Sequence, residues 1–186
     1  MTQNADVSPV GFRQALANEE RRFWRAAKQF YAVPGGQGVC LYLQDRLNLN
    51  VNVVLYIMWR ACAGDLLNRE RITLVHRVAA LQCAEKVRNL RWAIKNKLGA
   101  DHPLYEEAKR VELAAEKDQQ RLILATDFPE RAEAQTAQVG LSASSIVETI
   151  QTYIAQFGTA KMPGDDDLNT RLSKWVQTCV TLDLGD

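Results

Sequence analysis

The chain has 186 residues, of which 47% are apolar and 24% charged, an ordinary composition for a folded globular protein that argues against global disorder. Lys and Arg number 23 and Asp and Glu 22, so no overall charge marks the chain as a nucleic-acid or membrane binder. Its longest apolar run, Val53 to Trp59, is far shorter than the ~20 residues of a membrane span. The N-terminal sequence MTQNADVSPV lacks the features of a secretory signal, so a cytoplasmic protein is expected.

The first predicted helix begins at Ser8-Pro9, with serine as N-cap and proline in the first turn, after a flexible tail over residues 1–7. Its apolar side chains recur at helical spacing: Phe12, Leu16, Phe23, Ala27 and Phe30. The pair Glu19-Glu20 interrupts this stripe, so one helix and two shorter helices are both compatible with the pattern. Pro34-Gly35-Gly36 then ends the helical segment.

A short helix carrying Val39, Cys40, Leu43 and Leu47 on one face is predicted next. Asn48 suits the left-handed residue that ends a helix, and Asn50 suits the N-cap of the following one. The alternation from Leu47 to Val53 also fits a strand, but a single strand would have no partner. From Asn52 to Leu66 the chain is apolar on nearly every side, which is typical of a helix in the middle of a bundle.

Residues 70–98 are predicted to form a long amphipathic helix that ends at Gly99. Asp101 is expected to cap a second long helix, which runs to about Phe128 before Pro129 breaks it. Together these two helices would make a long αα-hairpin.

Two further helices are predicted after the segment 129–140, a stretch rich in Ala, Gln and Glu. Their buried faces carry Ile146, Ile150, Tyr153 and Phe157 in one, and Leu168, Leu172, Trp175 and Cys179 in the other. We therefore expect an all-α fold, a single bundle of six to eight helices around the central helix 51–66. Residues 8–186 would form one domain, within which 129–186 could be a looser C-terminal part.

Four polar residues lie in or beside the apolar central segment: Gln44, Asp45, Asn52 and Arg60. A buried polar side chain without a partner costs about 1–3 kcal/mol, so these residues must be paired. One interpretation is structural, with helix caps and a buried ion pair in which Asp45 reaches Arg60 or the N–H groups that begin the central helix. The other is a small pocket in which Trp24 and Tyr31 supply an aromatic wall.

A basic stripe is predicted on the long helix, where Arg77, Arg88, Arg91 and Lys95 fall within about 60° of one another at ~100° per residue. Such a stripe could meet a nucleic acid or an acidic partner. The alternative is a solvated face neutralised by the acidic helix that follows. Because the net charge is near zero, nucleic-acid binding is not expected.

The remaining reactive residue types form no recognisable site. Cys40, Cys62, Cys83 and Cys179 are isolated in sequence and read as free core thiols of a reducing compartment. His76 and His102 lack the Glu-x-x-His spacing of a di-iron bundle. The segment Pro34–Gly38 lacks the Lys and Ser/Thr of a phosphate loop. No metal and no cofactor are expected.

The segment FW...YAVPGG...CLYLQDRLNLNVNVVLYIMW resembles a family of uncharacterised bacterial proteins with the pattern FW-x-F...Y-x-x-P-G-V...C-L-x-L-Q-D-x-x-G-x-D-V-N-L-L-L-F-x-L-W. The resemblance is close over residues 20–65 and looser to about 125. Asn48 and Asn50 stand where the pattern tends to have glycine and aspartate, and both keep the physical role. The resemblance implies a small helical bacterial cytoplasmic protein and implies no activity.

No catalytic constellation appears in the sequence, and two long amphipathic helices could offer a binding surface. The leading hypothesis is therefore a non-enzymatic adaptor or regulatory protein that binds another protein. The alternative is a small-molecule-binding or enzymatic bundle that uses a pocket in the Trp24–Arg60 segment. A pocket near Asp45 would favour the second hypothesis, and a flat apolar patch on the 70–128 hairpin would favour the first.

Overall fold

The computed structural model describes residues 9–134, 141–159 and 166–184, and every regular element in these ranges is a helix. In these ranges the eight helices are α1 (Pro9–Ala32), α2 (Gly36–Asp45), α3 (Val51–Cys62), α4 (Arg69–Ala80), α5 (Ala84–Leu98), α6 (Pro103–Ala134), α7 (Ala143–Phe157) and α8 (Asp166–Cys179). The predicted all-α bundle of six to eight helices is confirmed. The predicted tail, residues 1–7, lies outside the described residues.

Helix α3 occupies the middle of the bundle, as predicted, although it ends at Cys62 and not at residue 66. All of its residues from Asn52 to Ala61 are buried, and it packs against α1, α2, α4, α6 and α7. Asn48 has φ 54°, the left-handed conformation expected of it. The Asn50 side chain accepts hydrogen bonds from the backbone N–H groups of residues 52 and 53, so its predicted role as N-cap is also confirmed.

Helix α1 is continuous, so the Glu19-Glu20 pair does not divide it. Both carboxylates have basic partners that keep them compatible with the helix. Glu19 pairs with Arg22 at 2.9 Å, and Glu20 pairs with Arg121 of α6 at 3.1 Å.

The turn between α1 and α2 depends on the absence of a side chain at Gly36. A Cβ there would lie 2.3 Å from the carbonyl oxygen of Phe30 and 3.0 Å from Nε1 of Trp175. The Trp175 indole donates to that same carbonyl at 2.8 Å. The contact fixes α8 against the end of α1, and a larger residue at position 36 would separate them.

The predicted helix 70–98 is wrong as a single element. Helix α4 ends at Ala80, and α5 begins at Ala84 after a short turn that leaves Leu81 81% exposed. The end of α4 is stabilised from a distant part of the chain, because Gln119 Nε2 donates to the Ala79 carbonyl at 2.9 Å. The αα-hairpin therefore consists of α5 and α6, and its first arm is about half as long as expected.

Helix α6 differs from the prediction at both ends. It begins at Pro103. The His102 side chain caps its first turn, because Nδ1 accepts from Leu104 N–H at 3.3 Å. The predicted cap, Asp101, does not have this role. The helix also continues through Pro129 to Ala134. Proline removes one backbone hydrogen bond, but its fixed φ is itself helical, so a helix can pass through it.

Helices α7 and α8 complete the same hydrophobic core. Ser142 caps α7, accepting from Ser145 N–H at 3.2 Å, and the predicted stripe on α8 is buried: Leu168, Leu172, Trp175 and Cys179. Helix α7 packs on α3 and α4, and α8 packs on α2 and α7. Within the segment 129–186, which was predicted to be looser, residues 135–140, 160–165 and 185–186 lie outside the described residues.

Candidate ligand-binding cleft

A cleft of about 830 Å³ opens beside the N-terminal end of α3. Its walls come from α1 and α2 on one side and from α5 and α6 on the other, and the end of α4 also borders it. Helix α5 has its principal packing contact with α6, so it is joined to the rest of the bundle mainly through that helix. Ligand sites in proteins typically enclose about 300–1,000 Å³, and this cleft is of that size. We call it the central cleft.

Five of the six residues predicted for a pocket line the central cleft: Trp24, Tyr31, Gln44, Asp45 and Asn52. They come from α1, the second half of α2 and the start of α3. The sixth predicted residue, Arg60, lies two turns further along α3 and does not line the cleft.

A chain of three buried amides forms one part of the cleft wall. Asn52 Nδ2 donates to Gln119 Oε1 at 2.6 Å, and Gln120 Nε2 donates to Asn52 Oδ1 at 2.7 Å. Gln119 Nε2 in turn donates to the Ala79 carbonyl at 2.9 Å. Each bond fixes the orientation of the next amide, so the three side chains form a rigid polar wall.

The amide chain ends in an acceptor that has no partner. Gln120 is 5% exposed, and its Nε2 donates to Asn52 Oδ1. Its Oε1 makes no hydrogen bond within the described part of the chain. A buried carbonyl oxygen without a donor costs free energy, so a native structure generally supplies one. Since Gln120 lines the central cleft, a ligand or an ordered water there could supply the donor.

An ionic cluster forms a neighbouring part of the wall, where α5 meets α6. Arg88 donates to Glu112 at 3.0 Å and to Glu116 at 2.8 Å. Arg91 also pairs with Glu112, and it donates to the Tyr105 hydroxyl at 3.0 Å. Burial raises the pKa of Glu116 above its ordinary value, although the hydrogen bond from Arg88 opposes the shift. The four charges balance, so the cluster adds no net charge to the cleft.

The predicted basic stripe does not lie on one helix. Arg77 lies on α4 and the other three residues lie on α5, because the break at residues 81–83 separates the two helices. Arg88 and Arg91 are neutralised by α6, and Lys95 lies over the Trp92 ring at 4.7 Å. This arrangement matches the alternative of a neutralised face, and the absence of nucleic-acid binding stays a prediction.

Aromatic side chains border the cleft on both sides, with Trp24 and Tyr31 on α1 and Trp92 on α5. Trp92 is 42% exposed. Lys117 lies 4.9 Å from the Trp24 ring centre, and Arg91 lies 5.1 Å from that of Trp92. Both indoles are therefore already in contact with protein cations, and what they offer a ligand is apolar surface. Trp92 was not among the predicted pocket residues.

His76 borders the cleft where α4 meets α7. Its ring stacks on Phe157 with centroids 3.8 Å apart, and its Nδ1 lies 3.1 Å from the Tyr153 hydroxyl. That hydroxyl accepts from Asn50 N–H at 3.3 Å, so its own proton is available to Nδ1. Burial lowers the pKa of His76 below its ordinary value. The imidazole is consequently neutral at pH 7.

The expected contact between Asp45 and Arg60 is wrong. Asp45 is exposed, and its side chain accepts a hydrogen bond from the neighbouring Gln44 at 3.0 Å. Arg60 is 2% exposed and pairs with Asp65, five residues further along the chain. The loop after α3 supplies this partner. Asp45 is thus free to face the cleft, and the first turn of α3 is capped by Asn50.

A buried ionic network, separate from the cleft lining, was not predicted from the sequence. Asp127 is fully buried and accepts from Tyr56 at 2.7 Å and from Arg71 at 2.7 and 2.5 Å. Arg71 also pairs with Asp65 at 2.8 Å, and Asp65 pairs with Arg60. Burial alone would raise the pKa of Asp65, but the hydrogen bonds from Arg71 and Arg60 outweigh it and the pKa lies below its ordinary value. These groups join α3, α4 and α6, and none of them lines the cleft.

Three further findings concern metal binding, membrane spans and the exposure of the thiols in the described residues. Over residues 9–134, 141–159 and 166–184, no three His, Cys, Asp or Glu side chains lie close enough to hold a metal ion. Within the same ranges, no helix combines the length and apolarity that a bilayer span requires. The thiols also differ in exposure, since Cys40 and Cys179 are buried and Cys83 is exposed at the start of α5.

Residues 22–123 match the family described as a protein of unknown function (DUF2390). The match covers more than half of the chain, so the chain belongs to this family, and the resemblance to an uncharacterised family is confirmed. It includes every residue named above as lining the central cleft. No curated protein and no solved structure matches the chain.

Proposed function

We propose that this protein binds a small organic molecule in the central cleft. The observation that carries the proposal is the 830 Å³ cavity that gathers five of the six predicted pocket residues around a rigid amide chain. The cleft combines exposed aromatic surface, a buried acceptor without a partner and fixed polar groups, which are the usual components of a ligand site.

A variant that fills the cleft tests the proposal. Ala80 is exposed at the end of α4 and lines the cleft, so Ala80→Trp would occupy the cavity without cutting into the core. Ala114→Trp on α6 is the matched control, because Ala114 is exposed and does not line the cleft. Wild type and both variants are screened by thermal shift against a library of metabolites.

The expected result is at least one compound that raises the melting temperature of wild type and of Ala114→Trp but not of Ala80→Trp. Compounds that stabilise all three proteins equally bind elsewhere. If every stabilising compound behaves in that way, the central cleft is not the ligand site.

A second candidate function is the adaptor role, in which the α5–α6 hairpin binds another protein. Leu104 and Val111 are 52% and 54% exposed and lie seven residues apart on one face of α6. Leu98, at the end of α5, is 50% exposed. Exposed apolar side chains of this size are frequent at protein interfaces. Co-purification of partners from the native host, compared between wild type and Leu104→Glu/Val111→Glu, tests this candidate.

We further propose a cytoplasmic location. The four cysteines are all free, and two of them are buried in the core as small apolar side chains. Free thiols in this number fit a reducing compartment. Location of a tagged protein by cell fractionation is the corresponding measurement.

A further inference from the structure

We infer that the ligand of the central cleft is a small alkylamine, a molecule with at least one ammonium group on an aliphatic stem. This inference rests on the proposed function, and it adds the chemical class of the ligand. Three observations support it: an acceptor without a partner, two carboxylates without ion-pair partners among the described residues, and apolar indole surface in the same cleft.

The acceptor is Gln120 Oε1, at the open end of the amide chain. The orientation of this amide is fixed, because its Nε2 must donate to Asn52 Oδ1, which has no other donor among the described residues. Reversing the Gln120 amide would place two oxygens against each other. The open position favours a ligand that carries a hydrogen-bond donor, which a carboxylate or phosphate does not.

The carboxylates are Asp45 at the end of α2 and Glu85 in the first turn of α5. Both line the cleft, and neither forms an ion pair within the described residues. Lys28 is the one lysine among the lining residues, whereas Arg88 and Arg91 are already neutralised within the ionic cluster. Among the lining residues, the charges outside the ionic cluster are thus two carboxylates and one ammonium, so an ammonium group of a ligand is favoured beside the carboxylates.

The indoles determine which part of the ligand lies against them. Trp24 is within 6.0 Å of Lys28 and 4.9 Å of Lys117, and Trp92 is within 4.7 Å of Lys95. A further ammonium on these rings would meet like charge, so the ligand places its methylene stem there. Its ammonium then lies toward the carboxylates and Gln120. An aliphatic amine has both parts, and the apolar stem provides contact that a bare metal cation cannot.

The test compares probes that share one stem and differ in the head group. The wild-type protein is titrated by calorimetry with n-hexylamine, 1,6-diaminohexane, n-hexanol and hexanoate at equal ionic strength. We expect saturable 1:1 binding of at least one amine, with n-hexanol and hexanoate at least tenfold weaker. The Ala80→Trp variant should lose the amine binding, and Ala114→Trp should keep it.

Two sets of substitutions locate the head group. Asp45→Asn and Glu85→Gln should each raise the amine Kd by up to about fivefold, as for exposed ion pairs, while Asp118→Asn on the exposed face of α6 should not. Gln120→Met should raise it by about tenfold or more, because a hydrogen bond to a charged donor is lost. The substitutions of Asp45 and Glu85 are at exposed positions, so these variants should fold and remain informative if Gln120→Met fails to fold.

Two results would overturn the inference. The first is binding of hexanoate or n-hexanol as tight as that of the amines and blocked by Ala80→Trp, which would leave the cleft a ligand site of another class. The second is the absence of cleft binding by both amines. In that case the metabolite screen described above decides separately whether the cleft binds any ligand.

Discussion

Asp127 and Arg71 lie 56 residues apart in the chain and form a two-point contact, with Arg71 Nε and Nη2 donating to the two carboxylate oxygens at 2.7 and 2.5 Å. The Asp127 carboxylate is fully buried and also accepts from the Tyr56 hydroxyl. The hydrogen bond between Asp127 and Arg71 raises the pKa of Arg71 above its ordinary value. The contact joins three helices, because Tyr56 lies on α3, Arg71 on α4 and Asp127 on α6.

Asp127→Ala is expected to lower the free energy of unfolding by about 3 kcal/mol or more, because the substitution leaves a buried guanidinium and a buried phenol short of a partner. Urea unfolding measures the change. The control is Asp118→Ala, which removes an exposed carboxylate from the same helix. Equal stabilities for the two variants would mean that the network does not hold α3, α4 and α6 together.

Asn52→Ala is expected to lower the free energy of unfolding by about 2 kcal/mol or more. The substitution removes two hydrogen bonds and leaves Gln119 Oε1 and Gln120 Nε2 without partners in a buried wall. Asn96→Ala, on the exposed surface of α5, controls for the gain in helix propensity. If chemical denaturation finds Asn52→Ala as stable as Asn96→Ala, the amide chain is not a rigid part of the fold.

Asp45→Ala is expected to melt within about 2 °C of wild type. The sequence suggested a buried partner for Asp45 and hence a clear loss of stability. In the structure the carboxylate is exposed and contacts only Gln44 among the described residues, so little is lost on its removal. A fall of many degrees in differential scanning calorimetry would restore a structural role and weaken its assignment to the ligand.

The imidazole of His76 is expected to titrate below its ordinary pKa of 6.5, because burial disfavours the charged form. At pH values between the pKa of His76 in the folded chain and that in the unfolded chain, the unfolded chain binds more protons than the folded chain. The contribution of His76 to stability is therefore present above pH 6.5 and is lost as the pH falls toward the folded value. An NMR titration of the Cε1–H signal in a His102→Gln background measures the folded pKa.

Phe157→Ala should move the His76 midpoint upward, since the stacked ring at 3.8 Å supplies part of the burial. A midpoint at or above 6.5 in the protein with Phe157 intact would show that the imidazole is solvated.

Local patterns predicted the centre of the fold, whereas contacts between distant residues were not predictable from one sequence. Asn48 and Asn50 were assigned correctly because chain reversal and capping depend on a few neighbouring residues. The break after Ala80 was missed because the Ala79 carbonyl near the end of α4 is satisfied by Gln119, 40 residues away. The partner of Arg60 was missed for a different reason, since Asp65 lies only five residues away but in the loop after α3, whose course is not predictable from the helical pattern.

The cleft was anticipated in part for the same reason. The residues on α1, α2 and α3 that line it lie close together in sequence. They are aromatic and polar side chains in an apolar segment, a combination that predicts a pocket. The other wall, with Trp92, Arg88 and Gln120, comes from α5 and α6. Its residues follow ordinary amphipathic patterns, and only the packing of the hairpin against the bundle brings them to the cleft.

The indole N–H signals of the four tryptophans give the most direct test of ligand binding in the central cleft. Trp24 and Trp92 line the cleft, whereas Trp59 and Trp175 are buried in the core at 5% and 1% exposure. In a ¹⁵N-correlated NMR titration with 1,6-diaminohexane, or with a compound found in the metabolite screen, the Trp24 and Trp92 signals should shift with one common saturation curve while those of Trp59 and Trp175 stay in place. Saturable binding that leaves the Trp24 and Trp92 signals unmoved would contradict the account.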